Sequence, residues 1–327
     1  MKGTTYYYMS NLSNNNGRAY EYACLLVLER EIAKYRSVVV EENSSFDAAQ
    51  RAWNSIDTRI QMVYEVSALS GIVSLFDLEP LIIEDGTDML TLKIQSDVEG
   101  KVGDVRDVLI IRRGIKWEIG LSIKHNHFAV KHSRLAKSLD FGLRWFNIEC
   151  SEQYWKDIKP IFNYLEAEKA KGRKWSELPA KEHDVYIPLL TAFINELRHS
   201  YSIHDDIPKR MVEYLLGQFD FYKVISIDSQ QTTQIQTFNL RGTLNKAGSA
   251  TPKTIVPMSL LPTRIVALDF KPESNNTVEL YLDSGWQFSF RIHNASTKVE
   301  PSLKFDIQII GMPATIISIN CKWGSNI

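Results

Sequence analysis

Residues 105–124 read VRDVLIIRRGIKWEIGLSIK. Two runs rich in Val, Ile and Leu are joined by Arg-Gly-Ile-Lys, which predicts a β-hairpin turning near Gly114 and Ile115. Strand side chains alternate between faces, so Glu118, Gly120, Ser122 and Lys124 share one side of the second strand. Antiparallel pairing about that turn sets Asp107 opposite Ser122, with Lys124 one side-chain step along. Glu118 falls roughly 13 Å from Ser122, alone near the turn. An apolar hairpin that carries a carboxylate, a hydroxyl and an ammonium in a row must put them to use, because buried charge is costly unless paired or metal-bound. One use is a plain Asp–Lys cross-strand pair. Another is a site where a carboxylate, a backbone carbonyl and further oxygens hold Mg2+, and the lysine stabilises charge on a phosphate.

The rest of the chain sets bounds. Its 327 residues are 44% apolar and 24% charged, as in an ordinary globular protein. No run of about eighteen apolar residues exists, so no membrane span is expected. The first twenty residues lack an apolar core, so no secretion signal is expected. Cys24, Cys150 and Cys321 have no paired or metal-ligand spacing, which suits a reducing cytosol. Between Lys101 and Lys137 nine Lys or Arg stand against three acids, a local +6 in a chain of net charge −1. Such a stretch is either a site for a polyanion or a solvated face.

Helical periodicity runs from about Gly17 to Arg36 and from about Phe46 to Leu69, with Gly71 as the expected stop. It returns in "SEQYWKDIKPIFNYLEAEKAKG", with Ser151 as cap and Pro160 placed to kink it, and in "IPLLTAFINELRHS" and "IPKRMVEYLLGQ". After about Asp220 seven alternating or β-branched runs follow, from "FYKVISI" to "TIISINCKW". The chain therefore reads as an α/β domain over 1–215 and a β-rich domain over 216–327. The loop "RGTLNKAGSATPK" is Gly-, Ser- and Thr-rich with three basic residues.

"RDVLI" followed by "SIK" resembles the PD-(D/E)XK nuclease core, whose signature is an Asp on one strand and (Asp/Glu)-x-Lys on the next. "GRAYE" at 17–21 looks like the first helix of such nucleases, where a glutamate often faces the metal site. The longer run "WEIGLSIKHNHFAVKHSRLAKSLDFG", with "GDVRDVLI" upstream, resembles the HaeIII family of type II restriction endonucleases. The resemblance spans about Asn14 to Arg198. It implies a restriction-endonuclease-like mixed sheet flanked by helices, a β-rich DNA-recognition domain behind it, and Mg2+-dependent cleavage of double-stranded DNA. It further implies the sequence GGCC cut in the middle, a bacterial cytoplasmic restriction-modification system, and a methyltransferase protecting host DNA. Carried onto this chain, Asp107 is the metal-binding aspartate, Ile123 offers its backbone carbonyl, and Lys124 is the signature lysine. The departure is Ser122, where the family signature usually has Glu or Asp. Glu21 is the first candidate for the missing acid, Asp140 the second and Asp104 the third. Glu118 is last on distance. An ordinary acid in a helix's first turns is the other reading of Glu21.

"HNH" at 125–127 is neither the dispersed HNH nuclease motif nor a zinc site, since no third ligand lies at usual spacing. His125, Asn126 and His127 are expected to donate to DNA phosphates or base edges, or to cap a following helix. Lys131, His132, Ser133, Arg134 and Lys137 form a phosphate clamp or a solvated helix face. Guanine-reading donors are expected in the β-rich region, Arg241 among them. A palindrome suits a homodimer, and a monomer nicking each strand in turn suits it equally. Two rivals stay open: a PD-(D/E)XK nuclease of repair or junction cleavage, and a non-catalytic DNA-binding protein on the same fold.

Overall fold

The computed structural model describes residues 3–96, 104–127 and 129–324. The chain divides into two compact units, each discontinuous in sequence: residues 1–128, 218–259 and 314–327 form the first, and 129–217 and 260–313 the second.

The first unit is a seven-stranded mixed sheet. Its strands are β1 (Val38–Glu41), β2 (Leu90–Ile94), β3 (Val108–Arg112), β4 (Trp117–His125), β6 (Phe221–Ile227), β7 (Thr232–Phe238) and β12 (Ser318–Lys322), and they lie in that order. The β1–β2 and β4–β6 pairs are parallel and the others antiparallel. Leu121 and Ile123 of β4, with Tyr222 and Val224 of β6, point into an apolar core. That core is shared with three helices, α1 (Gly3–Ile32), α2 (Ser44–Asn54) and α3 (Thr58–Leu78). Alternation then turns Ser122 and Lys124 to the other face.

The expected single helix over 46–69 is two. The chain breaks after Asn54, and Asp57 caps α3 by accepting from the Arg59 amide. Gly71 does not stop α3 but lies inside it, where an added Cβ would sit 2.9 Å from Cγ2 of Thr233 on β7. Its lack of a side chain lets helix and sheet approach.

The second unit is a five-stranded antiparallel sheet in the order β5 (Ala129–Ala136), β11 (Ser302–Gly311), β10 (Gln287–Asn294), β9 (Thr277–Leu282), β8 (Ile265–Phe270). With it go α4 (Phe141–Phe146), α5 (Glu152–Ala170), α6 (Ile187–Ile203) and α7 (Ile207–Leu216). Phe141, Trp145, Phe193, Phe290 and Phe305 interlock at its centre. Ser151 caps α5 as expected, accepting from the Tyr154 amide.

The boundary expected near residue 215 is replaced by interleaving. "FYKVISI" and "TQIQTFNL" are strands, but they extend the sheet that contains the hairpin. "KHSRLAK", read as a phosphate clamp or a solvated helix face, is not helical but pairs as strand β5 against β11. Periodicity identifies a strand; it does not name the strand's partner.

Candidate active site

The hairpin register is as the sequence predicts: Val108 faces Leu121, which brings Asp107 opposite Ser122. Asp107 Oδ2 accepts from the Ile123 amide at 2.6 Å, from Lys124 Nζ at 2.9 Å and from Ser122 Oγ at a long 3.5 Å. Strand β3 begins one residue later, so the carboxylate stands at a strand end, where its backbone is anchored by the Asp107 amide donating to Leu121 O. Burial opposes the charge on Lys124, but Asp107 and, beyond it, Glu21 more than offset this and hold its ammonium above the usual lysine value.

Glu21 is half-buried on α1. One turn on, Cys24 is 1% exposed. Burial pushes its thiol up, and the charges of Glu21 and Asp107 push it further. Glu21, Asp107 and Lys124 thus share one neighbourhood, assembled from the first helix and the hairpin. Among the described residues no three His, Cys, Asp or Glu side chains form a metal cluster. Two carboxylates are nonetheless a donor set that fits Mg2+, which is commonly held by one or two carboxylates together with waters and substrate phosphate.

The other candidate acids are engaged elsewhere. Asp104 and Glu118 both grip Arg106, at 2.7 Å each, so Glu118 is not alone near the turn. Arg106 also lies 4.0 Å from the centre of the Phe219 ring. Gly120 makes room for it: an added Cβ would fall 2.1 Å from Arg106 Cδ. Asp140 belongs to the second unit, where its carboxylate caps α4 at the Leu143 amide and accepts from the Cys150 amide. That local duty gives Asp140 a structural role beside its expected one as a metal ligand.

Several expected DNA contacts are held by neighbouring groups of the chain. His125 is held between the Tyr64 hydroxyl (3.3 Å from Nδ1) and Asp228 (2.8 Å from Nε2), with its ring against Tyr20 and Tyr64. Asn126, at φ 52°, donates to Asp228 Oδ2 and accepts from the Asp228 amide, tying the end of β4 to the end of β6. Ser133 is buried on β5, within hydrogen-bonding distance of Trp145 Nε1 and Tyr214 OH. Lys131 donates to Tyr214 O and lies 3.8 Å from the centre of that residue's ring. The His132 side chain lies outside the described residues. His127, Arg134, Lys137 and Arg241 are exposed. Lys137 pairs with Glu166 at 2.8 Å. Part of the basic stretch is structural as well: Arg112 is fully buried and donates to the carbonyls of Leu81, Glu84 and Asp85 and to Asp88.

Sequence reasoning missed Lys223. It sits on β6 in register with Ser122 and is 5% exposed. The signal was present: a single lysine inside the apolar run "FYKVISI".

An aspartate and a lysine joined across neighbouring strands of a helix-flanked mixed sheet, with a helix-borne glutamate nearby, form the arrangement expected of a nuclease of the restriction-endonuclease-like class. The profile of the HaeIII restriction endonuclease family matches residues 17–313. The type II restriction enzyme HaeIII of Haemophilus aegyptius is 54% identical over 317 residues, covering 96% of this chain and 99% of the relative. No solved structure matches. The chain belongs to the HaeIII restriction endonuclease family and is a type II restriction endonuclease. Among the described residues no helix is long and apolar enough to cross a membrane.

Proposed function

We propose that this enzyme hydrolyses double-stranded DNA at GGCC, cutting in the middle, with Asp107, Lys124 and Glu21 as its catalytic residues. The observation that carries the reading is the 2.9 Å contact between Asp107 and Lys124, in a chain 54% identical to a type II restriction enzyme over nearly its whole length. The Asp107 and Glu21 carboxylates, with the Ile123 carbonyl, are the groups that would hold Mg2+, whose charge would polarise the scissile phosphate. Lys124 gives its ammonium to a phosphate oxygen as negative charge develops there. Asp107 keeps that ammonium in place and charged before substrate arrives. Asn126, His127, Arg134, Lys137 and Arg241, with exposed side chains, are candidates for DNA contact. A palindromic target suits a homodimer and suits equally a monomer that nicks each strand in turn, and we take the enzyme to act in a bacterial cytoplasm.

Digestion of a fully sequenced plasmid with Mg2+ tests the target, since fragment ends should map to the centre of each GGCC. Lys124→Ala should bind a GGCC duplex in Ca2+ with an affinity near wild type and cleave at least about a hundredfold more slowly. Wild-type cleavage rates in that variant would remove Lys124 from the mechanism.

A further inference from the structure

A polar row crosses the seven-stranded sheet. Asp107 meets Ser122, Ser122 is in register with Lys223, and Lys223 with Gln236 on β7. Side chains in register lie on the same face. Lys223 therefore stands on the side of Asp107 and Lys124, one strand beyond Ser122. Its sequence neighbours Tyr222 and Val224 point the other way, into the core. Every residue of β6 is buried, so an apolar side chain would fit at position 223 without the cost of desolvating a charge. Burial and the nearby Lys124 lower the Lys223 ammonium to about 8 while Asp107 acts in the opposite sense, so it remains mostly charged at neutral pH.

The charge balance of the site gives that ammonium a use. With Ser122 in place of a carboxylate, the described residues that act on one another here include two acids, Asp107 and Glu21, and two ammonium groups, Lys124 and Lys223. Two divalent ions added to that set would leave a large excess of positive charge beside one scissile phosphate. One ion leaves far less.

We propose that Lys223 is a positioning residue of the hydrolytic site, a fixed positive charge beside Asp107 and Lys124 that takes the place of a second divalent ion. The inference rests on the nuclease reading above and deepens it. From behind Ser122, the Lys223 charge repels Lys124 toward Asp107, and it repels divalent cations, which restricts the site to one.

The test uses the full-length protein on a GGCC duplex. Calorimetric titration with Ca2+ should give one ion per active site in the wild type. Lys223→Met, of similar length and uncharged, should bind Ca2+ about tenfold more tightly yet cleave about tenfold more slowly in single turnover with Mg2+. Lys223→Arg should stay within about threefold of wild type in both measurements. A lysine with a merely structural role would not raise Ca2+ affinity when removed. Two Ca2+ per site in the wild type overturns the proposal, and that measurement stands whether or not a variant folds. Unchanged Ca2+ affinity or an unchanged rate in Lys223→Met overturns it too. Wild-type protein that cuts no DNA would instead overturn the nuclease reading, and this proposal with it.

Discussion

Glu79 closes α3 and is fully buried. Its Oε1 accepts from the Tyr222 hydroxyl at 2.7 Å and from the Asn245 amide, while Oε2 has no partner among the described residues. Burial pushes the carboxyl up to about 7, against the pull of those donors. The folded pKa thus lies above the unfolded one, so this group's stabilisation is complete below about pH 4 and is lost as pH rises through about 7. Glu79→Gln should therefore gain about 3 kcal/mol on the wild type between pH 4 and pH 8, read from urea unfolding at both. A difference that stays constant with pH would count against the buried acid. Residue-scale chemistry of this kind was only partly legible beforehand. Asp107 and Lys124 could be placed because a hairpin fixes cross-strand neighbours by counting. Arg106 could not: counting says nothing of a side chain folding over Gly120 to reach Glu118.

At the scale of elements, periodicity predicted all seven strands after residue 220 and the three helices from Ser151 onward. It failed where cations hid an alternating pattern. In β5, Ser133 and Leu135 are buried while Arg134 points out, yet the run reads as a charged helix because its inward positions include a hydroxyl. Gly71 was misread for a related reason, since a glycine inside a helix and a glycine ending one look alike without the facing strand. Alanine there gains up to about 1 kcal/mol in helix propensity. Its Cβ would meet a threonine held fast, because Thr233 Oγ1 donates to Ser67 O and accepts from Trp323 Nε1. Gly71→Ala should lose about 1 kcal/mol net, seen as a lower thermal midpoint. A raised midpoint would mean that Thr233 yields and that α3 packs less closely than described.

For the whole molecule, the parallel pairing of β4 with β6 decides the topology. A parallel neighbour requires a crossover, and here the connection leaves after His125 and returns at Phe221. No sequence pattern signals that a strand will wait so long for its partner, which is why the chain read as two consecutive domains. A fragment ending at residue 215 would keep β1–β4 and lose β6, β7 and β12, baring β4 along one edge. It should give no cooperative melting transition by circular dichroism, whereas a sharp transition would restore the simpler division. The same connection bears on synthesis. At about 5–20 residues per second, the ribosome needs roughly 5–20 s to make the stretch between the two strands. Through that interval the nascent chain already carries its aspartate and its lysine but no finished sheet to hold them. Assembly of the sheet therefore waits until translation is well advanced, by the order in which the polypeptide emerges.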